Sequence, residues 1–146
     1  MSSHRIHLKG PWDFAWLTGP FEPAMGIERS GTVTMPREWC TIFGANSGSA
    51  QFQRKFHAPT NLDAHERVIL VLTEVRGPGF VSLNQHPVGE FQGTGVGVEF
   101  EVTTFLKTFN QLVVTMEYDA LVEPVVPGGL YGAVALDIRS DEVKKL

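Results

Sequence analysis

The sequence predicts an all-β protein, a jelly-roll β-sandwich, and three observations carry that prediction. Between Arg67 and Tyr118, four apolar, β-rich runs are separated by Gly-Pro-Gly, Asn-Gln-His-Pro and Gly-Thr-Gly-Val-Gly. Punctuation of that kind marks short strands joined by turns. Several runs also alternate apolar with polar residues, the period of a strand covered on one face. And no stretch carries apolar residues at helical spacing over the length of an ordinary helix.

In chain order, Ile6–Leu8 and Trp12–Leu17 read as two short strands around Gly10-Pro11. An irregular connection with Pro20, Pro23 and Gly26 leads to a strand at Thr32–Met35, closed by Pro36. Trp39–Ala50, rich in Gly, Ser and Asn, reads as a loop. Gln51–His57 alternates, placing Phe52, Arg54 and Phe56 on one side. Val68–Leu72 is apolar on both faces and predicts a central, covered strand. Phe80–Asn84 pairs with it or with the strand after. Val98, Phe100 and Val102 face inward, with Glu99 and Glu101 in water. Thr103–Lys107 predicts one helical turn. Leu112, Val114 and Met116 form the inner side of a strand, and Val134, Leu136 and Ile138 that of the last one. About nine strands in two layers result. Asp141–Leu146 is a polar tail.

Composition narrows the function classes. At 146 residues the chain suits one domain, 1–146, that buries a core without disulfide or metal. Its 42% hydrophobic content with 10% aromatics excludes disorder. A net charge of -4 supplies no basic surface for nucleic acid or acidic membranes. Cys40, the single cysteine, forms no internal disulfide. No run approaches the roughly 20 apolar residues of a membrane span. MSSHRIHLKGPW lacks a signal-peptide core, so a cytoplasmic protein is expected.

Seven phrases, in order, resemble the N-terminal sugar-binding domain of family 2 glycoside hydrolases, the β-galactosidase and β-glucuronidase group. They are LKGPWDFAWL (8–17), VTMPREW (33–39), FQRKFHAP (52–59), VSLNQHPVGEFQG (81–93), FEVTTFL (100–106), NQLVVTM (110–116) and GGLYGAVALDI (128–138). The resemblance covers nearly the whole chain. It implies a galactose-binding-like jelly roll that is not itself an enzyme, because the family's catalytic carboxylates sit in a separate (β/α)₈ barrel. Two phrases depart from the pattern. The family's hairpin reads Leu-Asn-Gly, and here Asn84-Gln85 stands there, so a longer or differently shaped turn is expected, its exit stiffened by Pro87. The family's closing phrase carries Arg after Tyr, and here Gly132 replaces it. That Arg ties the last strand to the rest of the enzyme, and its loss suits a domain not docked on a barrel.

Few residues offer chemistry. Glycoside hydrolysis needs two carboxylates about 5 to 9.5 Å apart, and Glu99 and Glu101 instead read as a solvated strand face. Glu74 is expected to pair with Arg54, whose charge shares a face with Phe52 and Phe56. Cys40 reads as a packed thiol without activating neighbours. His4, His7, His57, His65 and His86 lack ligand spacing for zinc, and no carboxylate cluster suggests calcium. No cofactor is expected. The glycines of 93–97 precede a strand rather than a helix, so they serve a tight loop over the sandwich edge and not a phosphate.

Sugar recognition needs an aromatic plate and fixed polar groups. The aromatics to weigh are Trp12, Trp16, Trp39, Phe91 and Tyr131. Trp12 and Trp16 share a parity with Phe14 and read as core. By family resemblance, loops near the active-site mouth make Trp39, Asn46, Arg76 and Tyr131 the candidate ligand contacts. Three readings are open: a stand-alone carbohydrate-binding module, a protein-interaction or assembly domain that kept the fold without the sugar, or an excised piece of a glycosidase. In the second, Pro124-Val125-Val126-Pro127 is an apolar docking segment and the partner is another protein or a further copy of the chain. Met1 and Lys144-Lys145-Leu146 read as the ends of a complete short protein.

Overall fold

The computed structural model describes residues 3–120 and 127–140. Pro124, Val125 and Val126 of the expected docking segment, and the tail from Asp141, lie outside the described residues. Ten strands occur among them: β1 (Ser3–His7), β2 (Trp12–Thr18), β3 (Ser30–Val33), β4 (Gly48–His57), β5 (Glu66–Leu72), β6 (Gly79–Leu83), β7 (His86–Phe91), β8 (Val98–Glu101), β9 (Phe109–Tyr118) and β10 (Val134–Ser140). They form a four-stranded sheet, order β1-β10-β5-β8, and a six-stranded sheet, order β3-β2-β4-β9-β6-β7. All pairings are antiparallel. No helix among the described residues is long and apolar enough to cross a membrane.

The expected alternations set the inner faces. Phe52 and Phe56 of β4 and Leu112, Val114 and Met116 of β9 are buried against Val68, Leu70 and Leu72 of β5 in one core. β5 is central, as its composition predicts, with β10 and β8 on either side. Its outward Ile69 and Val71 are buried as well. They are registered with Asp137 and Ala135 on β10 and with Glu101 and Glu99 on β8. The charged side chains Arg5, Asp137, Arg139 and Glu99 join above them in one ion-pair network. Long charged side chains cover apolar surface with their stems while their heads stay hydrated.

Two expectations about local structure are corrected. Trp39–Ala50 is not all loop. Trp39–Phe43 forms one short helix, α1, and Gly48 already opens β4. The helix forms because Trp39, Ile42 and Phe43 lie at i, i+3 and i+4 and sink together into the core. The Asn84-Gln85 turn is not longer than usual. Leu83 pairs with His86, so the loop has two residues, with φ of 54° at Asn84 and 70° at Gln85. Both central residues are left-handed, as a type I′ hairpin requires.

The paired charge expected at Arg54 is also absent. Arg54 donates to the Lys55 carbonyl, and its Nε is buried without a partner. Glu74 follows β5 at the other end of the sandwich, where its carbonyl accepts the Gly132 N–H. Gly132 itself has no room for a side chain, since a Cβ there would lie 2.6 Å from both Glu74 Cβ and Thr73 Oγ1. An arginine at 132 would need the β5 exit to move.

Candidate functional site

The four residues singled out in the sequence meet at one end of the sandwich, chained through the loops that leave β5, β7 and β9. Trp39 is 0% exposed, so it presents no plate to a ligand and belongs to the core. Its ring stacks among Trp16, Phe43 and Tyr118, with centroids 5.8, 4.8 and 5.6 Å away. Its indole N–H donates to the Asn46 carbonyl at 2.9 Å. The Asn46 side chain accepts from Glu22 N and donates to the Glu22 and Phe43 carbonyls, which pins the 19–29 connection onto α1. Trp16 is only half-buried, packed on this cluster rather than inside it.

Arg76 and Tyr131 come together over Gly95. The Tyr131 hydroxyl donates to the Gly95 carbonyl at 3.3 Å, and a Cβ at Gly95 would sit 2.6 Å from Arg76 Nη2. Arg76 Nε donates to the Pro127 carbonyl, and its backbone exchanges two hydrogen bonds with Gly129. Gly93 and Gly95 have φ of 68° and 98°, so the loop is the tight one expected, closing on Gly77 and Arg76. These polar groups hold three loops to one another. The geometry is that of a clasp.

The opposite end carries a cleft of about 620 Å³ that none of the sequence motifs marks. Its floor is an amide lattice. Asn110, nearly fully buried, accepts from Lys107 N and Asn84 Nδ2 and donates to the Lys107 and Phe56 carbonyls. Asn84 in turn donates to the Phe105 carbonyl and accepts from Gln111 N. Phe105 belongs to the 3₁₀ turn Thr103–Phe105, the helical turn expected there. Every buried polar atom of these two amides has a partner, so the floor is rigid.

On that floor stand groups open to solvent. Phe109 is 67% exposed and meets the His57 ring edge-on at 4.7 Å. Lys55, Lys107, Gln85 and Gln111 complete the walls. No Asp or Glu lines the cleft, so the carboxylate pair of glycoside hydrolysis is not assembled there. Its chemistry is that of binding: an aromatic face, amides that both donate and accept, and two ammonium groups. The signal was present in the sequence as Phe109, on the same strand parity as Gln111, Thr115 and Glu117, which face solvent or lie half-buried.

Elsewhere the titrating groups are structural. Glu99 and Glu101 lie outside on β8 and are not bare. Arg139 binds Glu99 through two hydrogen bonds at 3.0 and 2.8 Å, and Arg67 binds Glu101 at 3.2 Å. The Arg139 hydrogen bonds hold the Glu99 carboxyl below its ordinary value. Cys40 is exposed rather than packed. Partial desolvation and the nearby Glu38 push its thiol up, which leaves little thiolate for nucleophilic work.

No protein-family model matches the chain, and no characterised protein matches it in sequence. Solved structures do match in fold. An FMN-binding β-glucuronidase from Faecalibacterium prausnitzii L2-6 superposes with a TM-score of 0.74 at 18% identity, over 94% of this chain and 23% of that one. The Bifidobacterium dentium β-glucuronidase, solved with coumarin-3-O-glucuronide, gives 0.74 at 22% identity, over 95% and 30%. A protein assigned as a β-galactosidase from Bacteroides fragilis gives 0.71 at 23% identity, over 96% and 24%. The fold is that of a glycosidase domain. This chain spans a quarter to a third of those enzymes, and at such identities the likeness speaks for architecture alone.

Proposed function

We propose that this chain is a non-catalytic carbohydrate-binding domain related to the sugar-binding domain of family 2 glycoside hydrolases. The observation that carries the reading is the cleft beside Phe109 and His57. A rigid amide floor, an exposed aromatic face and polar walls are what a sugar ring requires, with its apolar C–H face and its hydroxyl rim. Glycosidases that share the fold support carbohydrate as the ligand class. The clasp at Arg76 and Tyr131 supports loop integrity instead, because its polar groups are engaged within the chain.

Binding through one aromatic and a few amides is weak, with Kd of about 1 mM, or roughly -4 kcal/mol. Calorimetric titration with a panel of neutral and acidic mono- and oligosaccharides tests it. Phe109→Ala is expected to weaken any binding sugar about tenfold without changing the melting temperature, since the ring is largely exposed. A panel with no heat at millimolar ligand sinks the carbohydrate reading. An assembly role is the second reading, supported by Met25 and Val96, whose side chains stand fully and 70% exposed. Light scattering that finds a strict monomer at high concentration removes it.

A further inference from the structure

The cleft does not end at its own rim. A second hollow of about 310 Å³ lies on the outer face of the six-stranded sheet and shares Gln85 and Gln111 with the first. Register orders this face into rows: His57 beside Phe109, Lys55 beside Gln111, Gln53 beside Val113 and Ser82, then Gln51 beside Thr115 and Phe80. Four rows two residues apart span roughly 20 Å at 3.4 Å per residue. An aromatic ring stands at each end, Phe109 at 67% and Phe80 at 49% exposure.

Between the rings runs an amide ladder. Gln111 Nε2 donates to Gln53 Oε1 at 2.7 Å, and Gln53 Nε2 donates to Gln51 Oε1 at 2.9 Å. The chain of donors is polarised one way. It leaves the Gln51 NH₂ and the Gln111 carbonyl as open ends to hydrogen-bond a ligand. Gln85, common to both hollows, holds a φ of 70° that favours glycine. Strain kept at a side chain that lines a groove points to use of that side chain.

Charge is sorted along the same face. Lys55 and Lys107 stand at the Phe109 end, and neither has a carboxylate partner among the described residues. The acids of the face lie along the far rows: Asp13 beside Gln53, Glu90 beside Phe80, and Glu117 beyond Thr115. A ligand with negative charge at one end only fits this gradient in one direction.

We infer that the trough from Phe109 to Phe80 binds an extended oligosaccharide carrying a single acidic residue, its carboxylate at Lys55 and Lys107 and its neutral rings along the Gln111–Gln53–Gln51 ladder. This rests on the carbohydrate-binding reading and adds to it the ligand's length, charge and direction. Phe80 and Phe109 offer stacking faces, and the amides bridge hydroxyls between them.

Calorimetry with an aldotetraouronic acid, which bears one uronic carboxylate on a short neutral chain, tests it against two controls. These are the same oligosaccharide methyl-esterified at that carboxylate, and free glucuronic acid. The tetrasaccharide is expected to bind about tenfold more tightly than either control, the worth of one charge-assisted contact or one added ring. A Lys55→Gln/Lys107→Gln variant should erase the difference between acid and ester. Gln53→Ala and Phe80→Ala should weaken the tetrasaccharide and leave glucuronic acid unchanged. All four side chains are exposed or half-buried, so the variants fold. Equal binding of acid and ester, or variants without effect while sugar still binds, overturns this inference and spares the carbohydrate reading. If no saccharide of the wider panel binds either, that reading fails and takes this one with it.

Discussion

Gln85 occupies a backbone conformation that an L side chain adopts at a cost of roughly 1–2 kcal/mol. Its neighbour Asn84 tolerates the left-handed region better, because its amide bonds the local backbone in return. The Gln85→Gly substitution removes a steric cost and adds conformational freedom to the unfolded chain, so the two effects partly offset. We expect a net gain of about 1 kcal/mol, seen as a higher denaturant midpoint with an unchanged slope. The same variant should bind saccharide less well if the side chain lines the site. A stability loss would mean that the Gln85 side chain makes contacts that outweigh its backbone strain.

At the scale of elements, the four-stranded sheet depends on a charge network that one residue anchors. Asp137 on β10 has a side chain only 7% exposed, gripped by Arg5 at 2.6 and 2.9 Å and by Arg139 at 2.9 Å. The Arg5 hydrogen bonds are the main reason its carboxyl falls from 3.8 to about 2, against the opposing effect of burial, with Arg139 adding to the fall. The folded value lies below the unfolded one, so the carboxylate stabilises the fold above about pH 4. That contribution is lost as pH falls towards 2. Asp137→Asn should cost about 2 kcal/mol at neutral pH and flatten the acid limb of the stability curve, followed by urea midpoints from pH 7 to pH 2. An unchanged acid limb would place the titration elsewhere. Much of this element was legible in advance. Alternation in β4, β8 and β9 and the doubly apolar β5 arise from local pattern, because a covered sheet face selects apolar residues at period two. The α1 helix was hidden because five residues are too few for a periodic signal, and the Gly and Ser residues after it read as loop. The ion network was illegible because Arg5 and Asp137 lie at opposite ends of the described chain and meet only through the pairing of β1 with β10.

For the molecule as a whole, stability and binding sit at opposite ends. The trough needs three strands in register before Lys55, Gln111 and Asn84 become neighbours, which no local pattern announces. The Trp39 end was legible as aromatic but not as buried, because a tryptophan opening a loop-like segment looks the same in sequence whether it faces core or solvent. The separation makes a prediction that discriminates between the ends. Trp39 joins α1 to Trp16, Phe43 and Tyr118 and anchors Gly128 through its backbone N–H. Removing its ring in Trp39→Ala should cost about 3–5 kcal/mol, which lowers the melting temperature by roughly 10 °C. Saccharide affinity of the protein that remains folded should not change, because the trough is walled by β4, β6 and β9 from the other end. Melting by circular dichroism and titration well below the transition measure the two separately. Lost affinity with an unchanged melting temperature would move the ligand to the Trp39 end and reverse the division of labour between the two ends of the sandwich.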